Sequence, residues 1–379
     1  MTSGGGEVVK VSTSLAVRCG FLTYRLPTDW YLPVGDPRGL VWAQHGFVES
    51  RKVWTEFATR AARAGFLVVA PTLPTADLFG CTVQNLGNNP RFLNHVAEVF
   101  DPASADGRRT GHGGRPVGAG AISASYVEAL RKSGQGTVVH GNVRQRKSGQ
   151  DEAREDESRE DESREDRSRE PQAGREQLGG ERVGQGKSGR WPSSPFEPAL
   201  PDQVAFVGHS AGGEAALYLA GRLIEARDDR VASGRPDVAG VVLADPVTSV
   251  VDRTMAPSLA VLDRSNVPVL TVASPPNSCN AHHRGVAVVV DGLTSRPFIG
   301  VQLATGSHAD LLGASVGAVE RRVCGTPEPK NIEAAQRLAI GWLGEMLGRE
   351  AGSPDPPGCR PGGAAYEELL GAGVISPLR

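Results

Sequence analysis

The sequence predicts an α/β fold in which helices flank a mostly parallel central sheet. Short, fully apolar segments typical of buried strands alternate with amphipathic segments typical of helices, as at 66–70 and 53–64. The stretch 204–221 begins as a strand, turns sharply at a serine and continues as a run of helix formers. Later apolar segments end in polar residues, which is where open α/β sheets place their ligand sites.

The predicted elements before the central low-complexity segment alternate as a doubly wound sheet requires. A proline in the second strand, Pro27, indicates an edge position, and a proline in the first turn of the helix at 89–100 is compatible with a helix start. The elements are edge strands over 7–15 and 21–32, a strand over 40–43, a helix over 53–64, a strand over 66–70, and helices over 89–100 and 121–132.

A low-complexity insertion is predicted over residues 133–196, immediately before the strand that carries the serine. Three tandem charged pentads occupy 155–169, and mixed charge with almost no apolar residues cannot bury a core. We expect a disordered surface insertion, because long loops cost little closure entropy; a docking tract for a partner is the alternative. The insertion divides one domain into halves at 1–132 and 197–350.

After the serine, the pattern continues with three buried strands and a long closing helix. A Pro/Gly-rich tail follows over 351–379 and contains one short helical segment. The strand before the serine covers 204–207, the three strands after it cover 238–244, 267–273 and 298–304, and the predicted helices cover 331–347 and 366–370.

Composition excludes several partner classes. The 379 residues carry a formal net charge of −2 and 39% hydrophobic residues, so we expect no nucleic-acid partner. The N-terminus lacks a basic segment followed by an apolar run, and no apolar run reaches the ~20 residues of a membrane span. We therefore expect a cytoplasmic monomer without a transmembrane segment, secreted only if the true start lies upstream.

The five cysteines fit no metal-binding spacing, and their odd number leaves at least one unpaired. In a cytoplasmic protein the expectation is reduced thiols. If the protein is exported, a Cys279–Cys324 disulfide is the preferred pairing.

Ser210 stands at the apex of a G-x-S-x-G elbow. Gly208 and Gly212 leave room for the neighbouring strand and helix backbones, where a side chain would collide. The helix that starts directly after Ser210 directs free N–H groups and its positive dipole end at the oxyanion of an attacked carbonyl. The pattern therefore predicts a nucleophilic serine.

The base and the acid follow from chain order, which in such a fold runs serine, acid, histidine. His308 lies directly after the last predicted parallel strand, whereas the pair at 282–283 lies in a loop that no strand positions. Asp245 directly follows the strand at 238–244, and no acid follows the next strand. We predict a Ser210–His308–Asp245 triad. The alternative acids are Asp252, Asp263 and Asp291.

An oxyanion hole needs two N–H donors. One is expected from Ala211, the residue after the nucleophile, and the other from the loop after the early strand. In that loop Gly46 lets the backbone approach the substrate, and the Phe47 N–H is the predicted donor. No metal and no organic cofactor is predicted, because a serine triad needs neither.

Four motifs together resemble the α/β-hydrolase superfamily: Gln44-His45-Gly46-Phe47, the elbow at 208–213, Ala244-Asp245-Pro246-Val247 and the run at 306–310. Within it, the chain looks most like the chlorophyllase and cutinase-like polyester hydrolases. The D-P-V after the strand that follows the elbow is similar to the chlorophyllase arrangement, in which that Asp is the triad acid. The resemblance covers roughly residues 15–100 and 195–347 and implies an α/β-hydrolase fold.

The predicted activity is hydrolysis of a carboxylic ester, with a small-molecule or lipid-like substrate, through an acyl-enzyme. An acyltransferase or thioesterase with the same triad is one alternative. A catalytically silent hydrolase fold that binds a partner through residues 133–196 is another.

Overall fold

A computed structural model describes residues 7–83, 89–102, 120–134, 199–228, 234–250, 254–348 and 358–378. The chain divides into one unit formed by Met1–Thr137 and Pro198–Arg379 and a second unit, Val138–Glu197. Almost the whole predicted insertion, and the alternative acid Asp252, lie outside the described residues.

The amino-terminal half follows the predicted alternation of strands and helices. Asn89 caps the second helix, because its side chain accepts hydrogen bonds from the N–H groups of Arg91 and Phe92. The elements are β1 Val9–Cys19, β2 Leu22–Leu32, β3 Leu40–Gln44, α1 Thr55–Arg63, β4 Leu67–Pro71, α2 Pro90–Ala97 and α3 Ala121–Ser133.

The carboxyl-terminal half contains the predicted strands and also elements that the apolar pattern did not reveal. These unpredicted elements are three helices and one strand of at most 10 residues each, Met255–Arg264, Arg284–Gly292, Ala318–Cys324 and Ile375–Pro377. The elements are β5 Gln203–His209, α4 Ala211–Asp228, β6 Asp237–Ala244, α5 Met255–Arg264, β7 Val269–Ala273, α6 Arg284–Gly292, β8 Gly300–Leu303, α7 Ala318–Cys324, α8 Pro329–Leu347, α9 Ala364–Gly371 and β9 Ile375–Pro377.

The strands form one sheet in the order β1-β2-β4-β3-β5-β6-β7-β8-β9. Strands β3 to β8 run parallel, whereas β1, β2 and β9 pair antiparallel at the two sides of the sheet. This order, with the crossing of β3 and β4, is that of the α/β-hydrolase fold, as the sequence predicted. Strand β5 lies at the centre, so the elbow that follows it lies at the middle of the carboxyl edge.

Each face of the sheet is covered by helices, and alternate residues of the strands point to opposite faces. On one face, buried side chains of α2 to α6 form one core cluster with Val204 and Phe206 of β5. On the other face, buried side chains of α1, α8 and α9 form a second cluster with Ala205 and Val207. All four of these side chains are fully buried, as the near-continuous apolar strand segments predicted.

Residues 358–378, in the predicted tail, form part of the domain. Tyr366 of α9 is buried against the core, and β9 adds the last strand by pairing with β8. Among the described residues, no helix combines the length and the apolar character that crossing a bilayer requires.

Two disulfides join Cys19 to Cys81 and Cys279 to Cys324, and Cys359 is a buried free thiol. The second pair is the one preferred from the sequence for an exported protein; the first was not anticipated. Disulfides are typical of oxidising compartments. The expectation of reduced thiols is therefore wrong for four cysteines, and the cytoplasmic location stays a prediction.

Candidate active site

The chain turns from β5 into α4 at Ser210, whose φ of 54° is rare for a residue with a side chain. Hydrogen bonds on both sides hold this turn: Ser210 N–H donates to the Ala244 carbonyl at 3.0 Å, and the Ser210 carbonyl accepts from Val247 N–H at 3.0 Å. Such a strained backbone persists only when its surroundings fix it. The turn places Ser210 at the N-terminus of α4, beside the end of β6.

Three glycines allow this crowding. A Cβ on Gly208 would lie 2.6 Å from the Gly213 Cα, and a Cβ on Gly212 would collide with the Gln44 and His45 carbonyl groups. A Cβ on Gly46 would lie 2.8 Å from the Ser210 Cβ. The backbone of the loop after β3 therefore rests directly against the elbow.

Asp245 directly follows β6 and also has a positive φ, 44°. Its carboxylate is buried and accepts hydrogen bonds from Ser274 Oγ at 2.6 Å, Ser274 N–H at 3.1 Å and the Asn280 side-chain amide at 3.2 Å. Ser274 is the first residue after β7. The donors therefore come from the end of the neighbouring strand, and they compensate for the burial of the charge.

His308 lies in the loop after β8 and is buried. Its Nδ1 lies 2.7 Å from Asp245 Oδ2, so Nδ1 is the ring nitrogen that donates to this carboxylate. Asp310 holds the turn before His308 by accepting from Ser307 N–H at 2.5 Å. Burial raises the pKa of Asp310 to about 6.

The loop after β3 is fixed by His45, which is fully buried. Leu73 N–H donates to His45 Nε2 at 3.0 Å, so the proton is on Nδ1, which donates to the Gly46 carbonyl at 2.8 Å. Burial lowers the pKa of His45, which is consistent with a neutral ring. Because C=O and N–H of one trans peptide point in opposite directions, this bond also orients the N–H of Phe47.

A second histidine, His209, lies between Ser210 and a buried carboxylate. His209 Nδ1 is 3.1 Å from Glu49 Oε2, and its Nε2 donates to the His308 carbonyl at 2.9 Å. The rings of His209 and His308 are 4.6 Å apart between centroids. Burial lowers the pKa of His209, but the charge of Glu49 outweighs it and raises the pKa to about 9.

The structure thus brings Ser210, Asp245 and His308 to one part of the sheet edge, with Ala211 and the loop at Gly46–Phe47 beside them. The two alternative acids that the structure describes lie elsewhere: Asp263 pairs with Arg296 at 3.2 Å, and Asp291 lies on α6. His283 supports the site indirectly, because its Nε2 contacts the Ser274 carbonyl.

Sequence reasoning missed four polar residues around the site: Ser274, Asn280, Glu49 and Glu320. Each of these residues lies far along the chain from the residue that it contacts, so no local sequence spacing indicates the contact. It also missed Glu214, a buried carboxylate of α4 that accepts from Ser249 N–H at 2.8 Å and fixes the loop after Asp245. The one signal available was that Glu214 interrupts a run of apolar and small residues.

Two groups of described residues have metal-ligand atoms close together. One contains Cys19 and Cys81, which are disulfide-bonded. The other consists of Glu49, His209 and Glu320, whose ligand atoms all lie within 4.8 Å of one another. In that second group both nitrogens of His209 already face hydrogen-bond acceptors, which is the arrangement of a protonated ring.

No family model matches this chain, and no curated protein matches it either. Among solved structures, it is similar to the dienelactone hydrolase of Anabaena variabilis, with 14% sequence identity and a TM-score of 0.38. The match covers 89% of this chain and 99% of that one. A likeness of this degree carries no functional inference.

Proposed function

We propose that this protein is a serine hydrolase that cleaves carboxylic esters. The observation that carries the proposal is the buried Asp245–His308 hydrogen bond of 2.7 Å beside a serine held at φ 54° on a strand-to-helix elbow. A buried carboxylate that orients an imidazole next to a serine is the arrangement that activates a serine hydroxyl. A purely structural role leaves the strained φ of Ser210 without a reason.

In the proposed reaction, Ser210 Oγ attacks the ester carbonyl and His308 Nε2 takes its proton. Asp245 keeps the proton of His308 on Nδ1 and stabilises the imidazolium that forms. The N–H groups of Ala211 and Phe47 bind the oxyanion of the tetrahedral intermediate. His308 then protonates the leaving alcohol, and a water activated by the same histidine releases the acid from the acyl-enzyme.

An apolar ester is the substrate class that the surface favours. Most exposed large apolar side chains of the described residues lie on the loops that follow β3, β4 and β6 or on α7, which follows β8. Exposed apolar groups concentrated at one edge are typical of a surface that binds apolar ligands. They are Phe47, Val48, Leu78, Phe79, Val250, Val319 and Val323.

The position of the acid supports the proposed kinship with chlorophyllases. Asp245 follows β6, the strand after the elbow strand, and Ser274 occupies the end of β7 where the polyester hydrolases place their acid. The chain is therefore proposed to share the chlorophyllase position of the triad acid.

The proposal is tested by labelling purified protein with a fluorophosphonate and locating the label by peptide mass spectrometry. Turnover of p-nitrophenyl esters of increasing chain length is measured in parallel, with Ser210→Ala as the control. A label on Ser210 and ester cleavage that Ser210→Ala abolishes are the expected results. Folded protein that takes no label would overturn the proposal in favour of a silent binding protein. If added alcohol or thiol acceptors release the acyl group from the acyl-enzyme faster than water does, the protein is an acyltransferase.

A further inference from the structure

Next to the triad lies a cluster of charged groups that the proposed reaction does not use. Glu49 and His209 have side chains only 7% and 1% exposed, and Glu320 of α7 is half-buried beside them. Burying ionisable groups is costly unless they are paired. Three such groups within 4.8 Å of one another therefore require an explanation.

His209 connects the cluster to the base. Its two ring nitrogens face two acceptors, Glu49 Oε2 and the His308 carbonyl, so the ring donates both protons as an imidazolium. The bond to the carbonyl holds the backbone of His308, and the ring of His209 also packs against the ring of His308. His209 thereby fixes both the main chain and the plane of the base.

Glu49 connects the cluster to the oxyanion loop. The Oε2 atom that pairs with His209 also accepts from Gly46 N–H, at 2.5 Å. This bond fixes the peptide before Gly46, and His45 fixes the peptide after it. One carboxylate oxygen therefore links the loop after β3 to the imidazolium that holds the loop after β8.

We propose that the Glu49–His209 ion pair is a positioning bridge that sets the oxyanion loop and the base loop relative to Ser210. The inference rests on the proposed function. Three loops, after β3, β5 and β8, meet at the ring of His209, which directly precedes the nucleophile. Displacing catalytic groups by less than an ångström lowers the reaction rate by a large factor. A buried ion pair that fixes the positions of these loops therefore affects kcat.

Glu320 is the third member of the bridge. It lies against Glu49 and His209, and burial together with the charge of Glu49 raises its pKa to about 7, so at lower pH it is neutral and hydrogen-bonds to Glu49. The other titratable groups facing the pair are His45 and His308. Glu320 therefore attaches α7 to the bridge when protonated.

The test measures kcat and KM of Glu49→Gln, of His209→Gln and of the protein that carries both substitutions. His95→Gln is the control variant. His95 forms a similar but remote pair with Glu98 at 3.2 Å, which makes it a matched control. We expect kcat to fall about 10- to 100-fold in each single variant with KM nearly unchanged, since positioning acts on the transition state. We expect the double variant to be hardly slower than the singles, and His95→Gln to keep the wild-type kcat.

The outcomes separate this inference from the proposed function. If wild-type protein takes no fluorophosphonate label, the proposed function fails. If wild-type protein labels and both singles, folded by circular dichroism, turn over like His95→Gln, the bridge fails alone. Should His209→Gln not fold, Glu49→Gln supplies the same comparison. A zinc-induced rise in melting temperature that Glu320→Gln abolishes would also overturn the bridge, since His209 Nδ1 would then bind a cation.

Discussion

His308 Nδ1 lies 2.7 Å from Asp245 Oδ2, across 63 positions of the chain. The bond joins the loop after β8 to the end of β6 and bypasses β7, which lies between them in the sheet. Ser274, at the end of β7, fills the gap by donating to the same carboxylate oxygen. Asp245, the proposed acid, therefore reaches His308, the proposed base, from β6, whereas β7 next to β8 supplies only a hydrogen bond to the carboxylate.

We expect Asp245→Asn to lower kcat by about 10³–10⁴, because an amide in place of the carboxylate favours the wrong tautomer of His308. Ser210→Ala and His308→Ala should each lower it by about 10⁶, and combined variants should be hardly worse. Steady-state turnover of a p-nitrophenyl ester measures all of these. A fully active Asp245→Asn would assign the acid to another residue.

The geometry around Ser274 predicts that the acid can be moved by one strand. Ser274→Asp in the Asp245→Asn background should raise kcat at least about 10-fold above that of Asp245→Asn alone. The reason is that Ser274 Oγ lies only 2.6 Å from Asp245 Oδ2, so a carboxylate on residue 274 would lie close to the one that was removed. Ser274→Asn in the same background is the control and should recover nothing. Equal rates for the two double variants would contradict this prediction.

The stability of the protein should depend on pH through the cluster of Glu49, His209 and Glu320, and first through Glu320. Its folded pKa is raised from 4.5 to about 7, so its contribution is complete below pH 4.5 and is lost as the pH rises through 7. His209, raised from 6.5 to about 9, loses its contribution as the pH rises through 9. Glu49, lowered from 4.5 to about 2 despite burial because of the charge of His209, loses its contribution only as the pH falls towards 2.

Melting temperatures at pH 5 and pH 8 measure this dependence. Wild-type protein should lose more stability than Glu320→Gln between these values, because glutamine stays neutral at both. Asp310, whose pKa is also raised, contributes equally to both proteins and cancels in the difference. Parallel curves for the two proteins would mean that Glu320 titrates normally.

Gly212 should tolerate no side chain. A Cβ there collides with backbone carbonyls of Gln44 and His45, which cannot move without displacing the oxyanion loop. We expect Gly212→Ala to lower the free energy of unfolding by about 3 kcal/mol or more, at the upper end of overpacking costs. Gly371→Ala, where a Cβ meets nothing within 4 Å, is the control and should change it by less than about 1 kcal/mol. Urea denaturation measures both.

The Cys279–Cys324 disulfide should affect turnover as well as stability. It joins the segment that contains Asn280, a donor to Asp245, to the end of α7, which carries Glu320. Closing a loop of 45 residues is worth about 4 kcal/mol in the chain-entropy model. We expect the Cys279→Ser/Cys324→Ser protein to lose both stability and kcat.

The Cys359→Ser protein is the control for this disulfide, because Cys359 forms no disulfide and its contacts are with Trp342 and Arg337 of α8. It should keep the wild-type kcat. If the Cys279→Ser/Cys324→Ser protein has the wild-type kcat but a lower melting temperature, the disulfide has only a structural role.

The sequence by itself determined the alternation of strands and helices, the parallel sheet and the elbow at Ser210. These follow from local physics: apolar runs predict buried strands, and glycines around a serine predict a crowded turn. It also pointed to Asp245 and His308, because chain order and strand ends limit the choice. It did not reveal short helices such as α7, whose exposed valines carry no amphipathic pattern.

Only the tertiary structure decided how these residues are held. Ser274 and Asn280 around Asp245, and Glu49 and Glu320 around His209, belong to separate loops that the sheet edge brings together. A buried charge selects its partners by distance and by the loss of water, and neither has a signature in local sequence. The strand order fixes which loop ends meet, and therefore which polar side chains become neighbours.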